Sequence, residues 1–146
     1  MKTFISCLAV CLFFSCNSAS ENFELCEGVL YPYYHPQLNY KGSFYAIKEH
    51  LKTHYKPVST GNNTGIVRVR FQVNCKGETG NYNVATYSFN YELIAINTQI
   101  TAQLLELTKG LKDWIPAKDD DKKIVNSHKF FGFKIVNGQL IDILPK

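Results

Sequence analysis

No stretch of this sequence is long and apolar enough to cross a bilayer as a helix, since the one sustained run, Phe4 to Phe14, falls well short of the ~20 residues a span needs. No charge of one sign dominates either. The formal net charge is only +4 and the lysines and arginines are scattered, which argues against a nucleic-acid partner. The densest charge run, Asp119-Asp-Asp121 followed by Lys122-Lys123, reads as a solvated loop. Nucleophile-elbow glycines, a phosphate-cradling loop, a metal-ligand set and a close pair of carboxylates in an apolar setting are all missing. The expectation is therefore a non-enzyme without cofactor or metal. Repeats and low-complexity segments are absent as well, and 146 residues at 45% hydrophobic content suit one small domain plus a targeting segment.

The short apolar run has its own use. Lys2 followed by Phe4 to Phe14 reads as an export signal. It ends Leu12-Phe-Phe-Ser-Cys16, which resembles a bacterial lipobox with Phe13 in place of the usual leucine, and that makes residues 1–15 a lipoprotein signal peptide and Cys16 the lipidation site. The alternative is an ordinary signal peptide cut near Ala19. Acyl chains contribute about 0.8 kcal/mol per buried methylene, so a multiply acylated terminus holds a protein firmly to a membrane. Asn17, rather than aspartate, follows the cysteine, and by analogy with lipoprotein sorting this favours the outer membrane. With Cys7 and Cys11 lost and Cys16 acylated, Cys26 and Cys75 remain. In an oxidising envelope they invite a disulfide worth roughly 4 kcal/mol for a loop of about 50 residues. The alternative is two separate thiols.

The clearest physical grammar lies in residues 65–116. Val67, Val69, Phe71 and Val73 alternate with Arg68, Arg70, Gln72 and Asn74, the signature of a strand with one buried side. Gly77 and Gly80 permit a reversal, and Tyr82 to Tyr91 is rich in aromatic and β-branched residues, which predicts an antiparallel hairpin. Its second arm leaves two choices: Tyr82, Val84 and Thr86 share one face, and Ala85, Tyr87 and Phe89 the other. From residue 92 the period becomes helical, with Leu93, Ile96, Ile100, Leu104, Leu107 and Leu111 on one stripe. Lys109 and Gly110 look like its end, the glycine tolerating a left-handed cap. Trp114 and Pro116 form an exit.

On the N-terminal side, residues 16–40 read as a tether and an extended lead-in. The tyrosines there, as in Leu30-Tyr-Pro-Tyr-Tyr-His-Pro36, pack on the body in the simpler reading and form a stacking surface in the other. Phe44, Ile47, Leu51 and Tyr55 predict a short helix, with Ser43 placed to cap it and Pro57 to end it. His50 and His54 stand four apart, but Glu49 precedes the first and Leu51 follows it, so they read as solvent-facing rather than metal-binding. His128 to Val136 alternates again, and Asn137-Gly138 is a strong hairpin turn into Gln139 to Leu144. The predicted class is α+β: helix, two strands, helix and a closing hairpin, one antiparallel sheet against two helices, over residues 41–146.

This order, with the turn Asn74-Cys-Lys-Gly-Glu-Thr-Gly80, the exit Leu111 to Ala117 and Tyr55-Lys-Pro57 between the first helix and first strand, resembles the C-terminal domain of the TonB energy-transducer family in its Bacteroidetes-type form. The resemblance covers roughly residues 41–144. It implies binding by strand addition: an extended segment of an envelope protein pairs with an open sheet edge, here expected along Lys129, Phe130, Phe131, Gly132, Phe133, Lys134, Ile135 and Val136, or along Gln139 to Leu144 should the last hairpin cover the former. The family's transducers carry a spanning helix and a long proline-rich stretch, which this sequence lacks. The expected protein is a lipid-anchored interaction module on the periplasmic side of the outer membrane or the cell surface, with an envelope protein, an extended peptide or its own copy in a homodimer as partner. A link to TonB-dependent transport across the outer membrane follows from the resemblance alone. The alternatives are a small-molecule carrier using Tyr31 to Tyr45, or a structural secreted domain.

Overall fold

The alternating residues Val67 to Val73 form the strand they predict, and the sheet is assembled on both of its sides. The computed structural model describes residues 22–34 and 37–145, so the signal segment, Cys16 and His35 lie outside the described residues. Its elements are β1 (Leu30–Tyr34), β2 (Asn39–Tyr40), α1 (Ser43–His54), β3 (Gly65–Val73), β4 (Thr79–Tyr87), α2 (Thr98–Lys109), β5 (Trp114–Ile115), β6 (Asn126–Val136) and β7 (Gln139–Leu144). The class is α+β, with two helices on a five-stranded sheet and a small separate ribbon in which β2 pairs with β5.

The sheet runs β1, β6, β3, β4, with β7 also paired to β6. β6 is long enough, at 11 residues, to carry two neighbours on one side. β1 runs parallel to its first part, from Asn126 to His128, and β7 runs antiparallel to its second, from Gly132 to Val136. Two expectations are corrected by this pairing. The sheet is mixed rather than purely antiparallel, and Lys129 to Val136 is no free edge: β3 pairs along Ser127 to Ile135 on one side, and β7 covers Gly132 to Val136 on the other. The lead-in also belongs to the body, which begins well before residue 41 because β1 joins the sheet and β2 pairs with β5.

Both helices lie on one face. Val67, Val69, Phe71 and Val73 of β3 and Phe131, Phe133 and Ile135 of β6 are fully buried there, with Leu51 of α1 and Ile100 and Leu104 of α2. Burying one such side chain contributes about 1.5–3 kcal/mol. The choice left open for the second arm is settled by packing: the Tyr82 ring stacks on Phe71 with centroids 5.4 Å apart, and Val84 stands opposite Val69. Tyr82, Val84 and Thr86 therefore face the helices, and Ala85 and Tyr87 face away.

The second helix starts later than its stripe suggests. Residues 88–92 close a turn in which the Ser88 N–H donates to the Glu92 carbonyl at 2.8 Å, and Leu93 is 78% exposed. Asn97 then caps α2, its side-chain oxygen accepting from the Gln99 N–H at 2.8 Å. Gly110 ends the helix in right-handed conformation, φ −68°, so the left-handed cap is not used. In α1 the N-cap is Gly42, φ 80°, with no side-chain cap hydrogen bond, so Ser43 is the first helical residue rather than the cap, its hydroxyl accepting from the Tyr45 N–H at 3.4 Å.

The turn between β3 and β4 holds the N-terminal segment. Asn74 Oδ1 accepts from the N–H groups of Lys76 and Glu78, and its Nδ2 donates to the Glu24 carbonyl at 2.9 Å. Gly77 has φ +81°, and a Cβ there would lie 2.5 Å from the Trp114 carbonyl oxygen, so both conformation and space require glycine. Cys26 and Cys75 form the expected disulfide, Cα atoms 5.9 Å apart. Asn126 adds a second hold on the same residue, accepting from the Cys26 N–H at 3.1 Å and donating to its carbonyl at 2.9 Å.

Candidate functional site: a sheet margin and a trough across the open face

Because the helices cover one face, the other is left to solvent, and its relief follows from the register. One row across the strands reads Tyr87, Ile66, Lys134, Asp142; the next reads Ala85, Arg68, Gly132, Leu144; the third reads Asn83, Arg70, Phe130. The middle row holds two small residues between rows of large ones, and so it is a depression running across the strands. Arg68 does not fill it, since its guanidinium leans over the Tyr87 ring at 5.0 Å from the centroid. The result is a trough of about 410 Å³ lined by Ile66, Arg68, Tyr87, Tyr91, Phe130, Gly132 and Leu144. Arg68 is the one charged residue in that lining. Nearby, the Lys134 ammonium lies 5.3 Å from the Phe89 ring centroid.

The sheet has two long margins. On one side β4 presents Thr86 outward, where its carbonyl accepts from the Ile94 N–H at 3.2 Å and its hydroxyl donates to the Ile94 carbonyl. By strand alternation the backbone N–H and C=O groups of Val84 point the same way, while the Thr86 and Val84 side chains stay on the helix face. This margin is closed at one end by residues 88–94, and Phe23 packs over Gly80 at the other. On the opposite side, β7 has no partner along its outer edge among the described residues. Its register skips Ile141, which is 50% exposed, and Leu144 is 45% exposed. The turn leading into β7 is rigid: Asn137 and Gly138 take φ 49° and 74°, and the Gly138 carbonyl accepts from the Tyr55 hydroxyl at 2.9 Å and the Val58 N–H at 3.3 Å.

A smaller pocket of about 180 Å³ lies on the helix side, lined by Leu38, Asn39, Tyr40, Phe44, Ile47, Trp114, Lys129 and Pro145. Lys129 is buried on this side, its ammonium 5.5 Å from the Phe131 ring centroid, and burial pulls its pKa down to about 8. On the other face of β6, burial and then the Arg70 charge lower the His128 pKa. The Ser127 hydroxyl and His128 Nδ1 are buried without a hydrogen-bond partner among the described residues.

The sequence-derived site residues thus separate. Cys26 and Cys75 are joined. Of the expected edge, Phe130 and Gly132 line the trough, Lys134 stands in the row beside it, and Phe131, Phe133 and Ile135 belong to the core. Among the aromatic residues proposed for a carrier pocket, Tyr40 and Phe44 line the smaller pocket, Tyr31 packs against the core and Tyr45 is 70% exposed. His50 is not purely solvent-facing, since its Nε2 lies 3.2 Å from the Leu107 carbonyl. His54 Nδ1 lies 2.7 Å from the His50 carbonyl. Ala85 and Gly132 carry no motif, and only the strand register reveals that they share a row. No protein-family model, no curated protein and no solved structure matches the chain.

Proposed function

We propose that the chain is a lipid-anchored binding module of the bacterial cell envelope, of TonB C-terminal type, that takes an extended segment of an envelope protein along the outer side of β7. The observation that supports this is the character of that margin. Gln139 to Leu144 ends the sheet, holds no lysine or proline, carries one bulge at Ile141 and one charge at Asp142, and leaves Ile141 and Leu144 half exposed. An incoming strand would satisfy the outward amides and carbonyls of β7 while its alternate side chains meet those two residues. The order helix, strand, strand, helix, strand over residues 43–136, leaving out the two-residue β5, is compatible with the resemblance. The transport setting comes from that resemblance alone.

Photo-cross-linking in cells from position 141, with position 45 on exposed Tyr45 of α1 as control, tests the reading. The expected product is one envelope protein joined through a short extended segment, formed from position 141 and not from position 45. Equal adducts from both positions, or none from 141, would overturn strand addition there, and a product between two copies of the chain would assign the margin to a homodimer. Labelling with radioactive palmitate tests the anchor: wild type takes up label and Cys16→Ala does not.

A further inference from the structure

Gly132 sits in the middle of β6, between the fully buried Phe131 and Phe133. Glycine inside a strand is destabilising relative to alanine, so an interior glycine needs a reason. Conformation does not supply one, because Gly132 is not among the glycines with positive φ. Space does not either: a Cβ there would meet Ile66 Cγ2 at 3.8 Å and Leu144 Cβ at 3.9 Å, ordinary contact distances. A strand glycine often marks a bulge, a bend or a place where another molecule comes close, and the register shift of β6 falls beyond it, between Lys134 and Ile135. What a side chain at 132 would fill is the floor of the trough.

We propose that the trough is a binding site for a medium-chain fatty acid, its alkyl chain lying across Gly132 toward Leu144 and its carboxylate at Arg68. The lining specifies that chemistry. Tyr87, Tyr91, Ile66, Phe130 and Leu144 offer apolar walls, and a single guanidinium stands near the Tyr87 end. Arg70 and Lys134 flank it while Asp142 is the one acid in the three rows, so the face favours an anion. A carboxylate accepts two parallel hydrogen bonds from a guanidinium. The direction of the trough separates it from strand addition, and its single cation with apolar walls suits an alkyl carboxylate. It crosses four strands, about 14 Å at the usual strand spacing, whereas a peptide added to the sheet runs along the strands and cannot lie in it. The volume falls in the range of small-ligand sites.

Dodecanoate, titrated below its micelle concentration into the intact disulfide-bonded protein, is the probe, followed by calorimetry and by amide shifts in NMR. Saturable one-to-one binding is expected, with shifts centred on residues 66–68, 87–91 and 130–132. Gly132→Val, which fills the floor, abolishes binding and at the same time raises the melting temperature, because valine suits a strand and its Cβ meets Ile66, Leu144 and the Leu144 carbonyl oxygen at 3.8–4.0 Å, ordinary contact distances. Arg68→Gln weakens dodecanoate by about tenfold and leaves dodecanol unaffected. Binding that survives Gly132→Val, that maps to the pocket beside Lys129, or that appears only with micelles would overturn the proposal. So would a lowered melting temperature for Gly132→Val, which would show that the fold itself needs the glycine. These readouts do not depend on strand addition at β7, so either reading can fail alone.

Discussion

Lys129 shows how far a single residue can depart from what its sequence position suggests. In an alternating strand it falls in step with Phe131 and Phe133, and the structure places it on that buried side, 9% exposed. Burial disfavours the ammonium, so the folded protein holds this proton less tightly than the unfolded chain, with a pKa of about 8 against an ordinary 10.5. The cost is present in full below pH 8, and stability from this source rises as pH climbs from about 8 toward 10.5. Lys129→Met is therefore expected to stabilise the protein at pH 7 by about 1–3 kcal/mol, a gain that shrinks above pH 8 and vanishes near pH 10.5 in denaturant titrations. An unchanged midpoint at pH 7 would show that burial does not penalise this ammonium. The alternation itself was legible in the sequence, since period 2 is local. That a lysine would occupy a core-facing step was legible only as a conflict with the pattern.

At the scale of elements, local signals succeeded where one face is buried and failed where a cap competes with a stripe. Leu93 continues the helical spacing of Ile96 and Ile100, yet Asn97 stops the helix short of it. Its side chain holds the Gln99 N–H and donates to the Thr60 carbonyl at 2.8 Å. Asn97→Ala is expected to cost about 1–2 kcal/mol and to increase hydrogen exchange first at Gln99 and its neighbours. A loss confined to distant strands would contradict the assigned role. The sheet was only half legible. The hairpins from β3 to β4 and from β6 to β7 are close in sequence and carry turn residues, but the parallel pairing of Leu30 with Asn126 joins segments far apart and leaves no periodic trace. For the same reason the expected edge at Lys129 to Val136 proved not to be free, and the row containing Ala85 and Gly132 was invisible until the register was known.

On the scale of the whole molecule, the N-terminal segment is fastened to the body through one locality. The disulfide spans a sequence separation of 49, Asn126 holds the backbone of Cys26 itself, and Asn74 holds that of Glu24. Cys26→Ser with Cys75→Ser is expected to lower stability by about 2–4 kcal/mol, and reduction of the wild type should reproduce the loss. A midpoint insensitive to both would mean that the other contacts suffice. The fastening also sets a line of force. Cys75 lies in the turn after Val73, at the opposite end of β3 from Gly65 and the turn at Asn137 and Gly138, about 30 Å away along a nine-residue strand. A load arriving from the N-terminal side would pass through a covalent bond into the turn that holds Cys75 before reaching β1, so the body could be pulled without its first strand being unzipped.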